Sequence, residues 1–179
     1  MDNNLNEKLI IEYIEEALKK LYENDSYLIS FSCDDLHNAE EAHVSERAIV
    51  HRFAIYFEQV FVRSHGRCEY DFDVEYNRNI KDIKRVYDKL SIPDLIVHKR
   101  GCEEKNLAVF EFKTWWSGKR LIVCDHKKVK KIMKELKYKH GFVIKVDKKE
   151  TSITYYCSAE SDEITFIYNF GDNSLSVRQ

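Results

Sequence analysis

Between residues 69 and 76 the chain alternates strictly, with Glu69, Asp71, Asp73 and Glu75 on one parity and Tyr70, Phe72, Val74 and Tyr76 on the other. Successive strand side chains point to opposite faces, so this stretch predicts a half-buried strand. Helical spacing marks two other stretches. Ile10, Ile14, Ala17, Leu18 and Leu21 form one stripe and predict an amphipathic helix over 5–22. Ile49, Val50, Phe53, Phe57, Val60 and Phe61 do the same for a helix over 44–63. Short apolar runs predict buried strands at 93–98, 107–113 and 141–146. A Lys-rich helix over about 125–138 separates the last two, with Asp125 as its N-cap and Gly141 following its end. Strands near 152–157 and 163–168, joined by the polar turn SAESDE, read as a hairpin. Residues 79–89 read as a short basic helix or helical turn, and SYLISFS at 26–32 is too short to assign.

The resulting order of helix, three strands, helix and strand predicts an α/β fold with a mixed central sheet flanked by helices. An N-terminal helix and a C-terminal hairpin are added to that core. The chain has 179 residues with one Pro and five Gly, which leaves little room for linkers and points to a single domain over 1–179. No apolar run approaches the ~18 residues of a spanning helix. The start, MDNNLNEK, is polar and acidic, unlike a secretory signal. Five Cys without a CxxC pair read as reduced thiols in a cytoplasmic protein. There is no Walker loop, dinucleotide fingerprint or nucleophile elbow.

Charge changes the picture more than composition does. The net value of −2 conceals an uneven distribution. Residues 1–80 hold 8 basic and 17 acidic side chains, residues 81–149 hold 20 and 9, and residues 150–179 hold 1 and 5. A basic middle between acidic ends is either a solvated helix face or a surface that meets phosphate.

The candidate chemistry lies at strand ends. An acid followed two positions later by Lys occurs six times, but only at Glu111-Phe112-Lys113 does it close an apolar strand. Residues two apart share a strand face, so Glu111 and Lys113 point together, on the side expected for Leu107 and Val109. Read alone, the triplet describes a Glu–Lys ion pair at a fraying strand end. Asp94 alters this reading. It opens the preceding strand after Pro93, and the short connection over 99–106 permits a hairpin that brings it beside Glu111. Two converging carboxylates form a hard-oxygen site suited to Mg²⁺ or Mn²⁺. Glu46 is the third acid. On a helical wheel of about 100° per residue, the six apolar residues of its helix lie within about 60° on either side of it. A first-turn acid favoured by the helix dipole is the plainer account. Cys33 with His37, and Cys124 with His126, are lone pairs too sparse for Zn²⁺.

The segments SERAIVHRFAIYFEQ, YDFDVEYNR, PDLIVHKRG and NLAVFEFK resemble, in this order, the PD-(D/E)XK nuclease superfamily with its restriction-endonuclease-like fold. The resemblance covers about 40–146 and maps onto Asp94, Glu111 and Lys113, with Glu46 as the helix acid. It implies that Asp94, Glu111 and the Phe112 carbonyl hold Mg²⁺, with Mn²⁺ as a substitute, and that Glu46 completes the metal shell. Lys113 would position or deprotonate the attacking water and stabilise charge on phosphorus. The basic helix, through Lys127, Lys128, Lys130, Lys131 and Lys134, would meet the phosphate backbone. The expectation is therefore a Mg²⁺-dependent nuclease, acting on DNA rather than RNA, with specificity drawn from loops, a homodimer or a partner protein. The rival expectations are a non-catalytic nucleic-acid-binding or complex subunit with the same fold, and an α/β interaction protein whose acids are ion pairs. Trp115 and Trp116 would be packing or rim residues, with stacking on bases as the alternative; His98 and Glu75 would lie near the pocket edge, and His51 outside it.

Overall fold

The computed structural model describes residues 7–30, 44–65, 69–76 and 92–178, together with the backbone of short pieces between 78 and 90. Helices α1 (Glu7–Asn24), α2 (Ser26–Ser30) and α3 (Glu46–His65) precede strand β1 (Asp71–Val74). Four two-residue strands follow: β2 (Arg78–Asn79), β3 (Asp82–Ile83), β4 (Arg85–Val86) and β5 (Lys89–Leu90). Then come β6 (Leu95–Lys99), β7 (Cys102–Thr114), α4 (Lys119–Leu136), β8 (His140–Val146), β9 (Glu150–Tyr156), β10 (Ile164–Asn169) and β11 (Ser174–Arg178). Among the described residues no helix is long and apolar enough to cross a membrane.

The protein is α/β, with a seven-stranded mixed sheet in the order β1-β6-β7-β8-β9-β10-β11. Every neighbouring pair is antiparallel except β7 and β8. A parallel pair needs a long crossover, and α4 supplies it. The expected C-terminal hairpin extends to a three-stranded meander with β11, and this meander continues the main sheet. Residues 79–89 were expected to be helical. Their described positions instead pair as two small ladders, β2 with β3 and β4 with β5, while Ile80, Lys81, Lys84, Tyr87 and Asp88 lie outside the described residues.

Helices cover both faces. On one face α1 and α3 pack over Phe110, Phe112, Phe142, Ile144, Ile153 and Tyr155. The rings interlock: Phe53 meets Phe112 at 5.0 Å, Phe57 meets Phe110 at 5.4 Å and Phe110 stacks on Phe142 at 4.8 Å. Each fully buried ring contributes on the order of 1.5–3 kcal/mol, so this layer fixes α3 against β7. On the other face, Val129, Ile132 and Met133 of α4 pack on Ile96, Val109, Val143 and Tyr156.

Two local details position the site. First, β6 and β7 slip register between Val97, which faces Ala108, and His98, which faces Asn106. Leu107 is the extra residue, and a bulge reverses parity. Leu107 therefore joins Ala108 in the α1–α3 layer rather than sharing the face of Val109, as strict alternation predicted. Second, α4 begins six residues before the predicted start, after Gly118 in an extended conformation, and its first turn closes on the Gly118 carbonyl. Asp125 is therefore a buried mid-helix residue and not an N-cap. The helix ends at Leu136 and is capped by Lys137, in a left-handed conformation, and Gly141 lies inside β8. A Cβ on Gly141 would stand 2.3 Å from Met133 Sδ and 2.6 Å from Val129 Cγ1, so close approach of α4 accounts for this glycine.

Candidate active site

The carboxyl end of β7 gathers charges from every layer of the protein. Pro93, buried just before β6, leads directly to Asp94. The Asp94 Oδ2 accepts the Phe112 N–H at 2.7 Å, which ties the start of β6 to the end of β7. The Asp94 carbonyl accepts the Glu75 N–H at 3.1 Å, so β1 is tied to the same point. Glu111 is 1% exposed and faces α4. There the Lys128 ammonium lies 2.8 Å from Glu111 Oε2, 2.7 Å from Oε1 and 2.7 Å from the Ile92 carbonyl.

Lys113 bridges the two helical layers. Its ammonium lies 3.1 Å from Glu46, on the first turn of α3, and 3.1 Å from Asp125 of α4, and it donates to the Phe112 carbonyl at 2.6 Å. Four acids and two amines thus form one cluster. Two of its carboxylate oxygens, Glu111 Oε1 and Asp125 Oδ2, are buried and accept no hydrogen bond. Each nevertheless has an ammonium at contact distance, Lys128 at 2.7 Å from Glu111 Oε1 and Lys113 at 3.1 Å from Asp125 Oδ2, so neither lacks a partner. Among the described residues no three His, Cys, Asp or Glu side chains stand in a ligand arrangement. The acids are interleaved with the two ammonium groups.

The electrostatics follow from burial and crowding. Burial pushes the Glu111 carboxyl up to about 8, with the Asp94 charge adding to the shift and Lys128 opposing it. Asp94 is raised by burial, against the Phe112 N–H and the two lysines. Glu46 is also raised by burial, with Lys113 opposing. Burial alone would lower the Lys113 pKa, but Glu46 and Asp125 outweigh it and the net shift is upward. Lys113 is therefore held as a cation at neutral pH.

The structure brings Glu46, Asp94, Glu111 and Lys113 to one place. The basic helix divides. Lys127, Lys131 and Lys134 are exposed, with Lys134 lying 3.8 Å from Glu160. Lys128 turns into the cluster. Lys130 lies 4.7 Å over the Tyr156 ring and donates to the Ser161 carbonyl, so it binds the C-terminal meander. Trp115 and Trp116 pack edge to face at 4.3 Å beside the α1–α3 layer. Glu75 borders the site through its backbone, while its carboxylate takes Arg47 at 2.7 Å. His98 pairs with Asp73 at 2.9 Å, and His51 is exposed. His126 meets the Tyr156 hydroxyl at 2.6 Å, and Cys124 is an exposed free thiol. Cys33 and His37 lie outside the described residues.

Sequence reasoning missed Asp125 and the inward turn of Lys128. The signal for Asp125 was present: it precedes Val129, Ile132 and Met133 by four, seven and eight residues, on the buried stripe. Comparisons with protein families, with curated proteins and with solved structures find no match.

Proposed function

We propose that this chain is a Mg²⁺-dependent nuclease that cleaves phosphodiester bonds in DNA, on a restriction-endonuclease-like core. The observation that carries this reading is the buried acid cluster at the end of β7, in which Asp94, Glu111 and Glu46 all have raised pKa values and Lys113 stands between two layers. Crowded, dehydrated carboxylates favour a compact cation among them. The donors are hard oxygens, which suit Mg²⁺ or Mn²⁺, and Glu111 Oε1 is a buried acceptor without a hydrogen bond. Asp94 and Glu111 would hold the metal, with Glu46 and the Phe112 carbonyl next to them. When bound, the metal supplies an activated water and stabilises charge on the scissile phosphate.

The residues of the chain divide the remaining work. Lys113, kept charged by Glu46 and Asp125, acts as a donor to the phosphate rather than as a base. Asp94 accepts the Phe112 N–H and so ties the start of β6 to the backbone at the end of β7. Lys127, Lys131 and Lys134 offer exposed charge for the phosphate backbone. The core reading is supported by β1, β6, β7 and β8 with α3 and α4 on opposite faces.

The test is incubation with linear, circular, single-stranded and branched DNA, in Mg²⁺, in Mn²⁺ and in chelator. Metal-dependent cleavage of at least one substrate is expected. DNA binding without cleavage in any metal would favour a non-catalytic subunit.

A further inference from the structure

The mechanism proposed above uses Lys113 and leaves Lys128 without a role, yet Lys128 makes the closest contacts to the most buried acid of the site. Its ammonium reaches both Glu111 oxygens, at 2.7 and 2.8 Å, and the Ile92 carbonyl at 2.7 Å. That is a hard-oxygen environment of two carboxylate oxygens and one backbone carbonyl, the donor type that takes a divalent cation. The two lysines are held differently. Lys113 is 13% exposed and pinned by Glu46, Asp125 and the Phe112 carbonyl. Lys128 is 32% exposed, and its ammonium is held by Glu111 and the Ile92 carbonyl. A long, flexible stem rising from the half-open flank of α4 can swing its ammonium out to water. Glu111, almost fully buried, has no such freedom.

We infer that Lys128 is the resident cation of the site: its ammonium occupies both Glu111 oxygens and the Ile92 carbonyl in the metal-free protein and must leave for a divalent metal to bind there. This inference rests on the metal-dependent reading of the same cluster. It makes Lys128 a competitor of the metal rather than one of the lysines that grip phosphate. The contact protects the metal-free fold, because a buried polar group left without its hydrogen-bond partner is costly. The same contact lowers metal affinity, because the metal must displace it.

The test is a calorimetric titration of Mn²⁺ alone into the whole protein without nucleic acid. Lys128→Met and Lys128→Gln are compared with wild type, the second keeping a donor for Glu111 in case the first does not fold. Lys127→Met, one residue along and exposed, reports the general effect of losing one positive charge. Removing a charged hydrogen-bond partner should tighten Mn²⁺ binding about tenfold or more in the Lys128 variants. Lys127→Met should stay within about twofold of wild type. Melting should follow the same order, with the metal-free Lys128 variants less stable than wild type and gaining more from Mn²⁺. Wild type that binds Mn²⁺, with Lys128 variants that bind it no more tightly, would overturn the inference and leave the metal reading standing. Equal tightening by Lys127→Met would also overturn it. No Mn²⁺ binding by any of the proteins would overturn both.

Discussion

At the scale of residues, the four acids differ in what their removal exposes. Asp94 is a backbone acceptor as well as a charge, so Asp94→Ala would strand the Phe112 N–H at a cost of about 1–3 kcal/mol. Asp94→Asn keeps an acceptor and relieves repulsion with Glu111. It should melt within a few degrees of wild type, lose most of its stabilisation by Mn²⁺ and fail to cleave. Asp125→Asn acts through Lys113, leaving the amine to Glu46 alone. Misplacing that group should lower kcat by about 10²-fold with little change in KM, and single-turnover kinetics measure the split. Glu46 was legible because its helix presents an unbroken apolar face that the acid sits on. Asp125 was not, although it obeys the same rule. The exposed Leu121 and Val123 blur the stripe at the start of α4, so the periodicity places the helix start at Asp125 itself.

At the scale of elements, β6, β7 and β8 were readable because their apolar runs exceed what a turn can hold, and α1 and α3 because their apolar residues recur at helical spacing. The bulge at Leu107 was not, since a one-residue slip leaves no mark in a continuous apolar run. Neither was β11, whose Ser-Leu-Ser-Val-Arg is mostly exposed and gains order by pairing with β10. Two predictions test how elements are joined. Gly141→Ala would push a methyl into Val129, a stiff branched side chain, and should destabilise the protein by about 1–3 kcal/mol in urea unfolding. The second concerns the clamp between β1 and the end of β6, where Asp73 takes His98 at 2.9 Å and the Arg100 guanidinium. Burial opposes ionisation of Asp73, but those two partners outweigh it and hold its carboxyl well below the usual range. The folded pKa is depressed, so the stabilisation is full above the ordinary 3.8 and is lost as pH falls below it. Asp73→Asn should therefore cost about 1–2 kcal/mol at pH 7, discounted because Arg100 is more than half exposed. The difference from wild type should shrink steadily between pH 4 and pH 2, as read by denaturant melts.

At the scale of the whole molecule, the basic middle of the chain splits between a surface and a site. The sequence showed the excess of charge but not its direction, because helical phase alone does not say that Lys128 reaches inward and Lys130 meets the meander. Replacing Lys127, Lys131 and Lys134 together with Gln should weaken DNA binding and reduce the log–log salt slope by about 0.9 for each lost phosphate contact. An unchanged slope would move the DNA to another face. In the proposed reaction the cluster at the end of β7 performs metal-dependent hydrolysis, with Lys113 as its essential cation. The most direct measurement is nicking of supercoiled plasmid in Mn²⁺ by wild type and Lys113→Met, the latter having first been shown to bind Mn²⁺ and to melt cooperatively. Nicking by wild type that chelator abolishes, and none by Lys113→Met, is the expected result. Equal rates for the two proteins would contradict it.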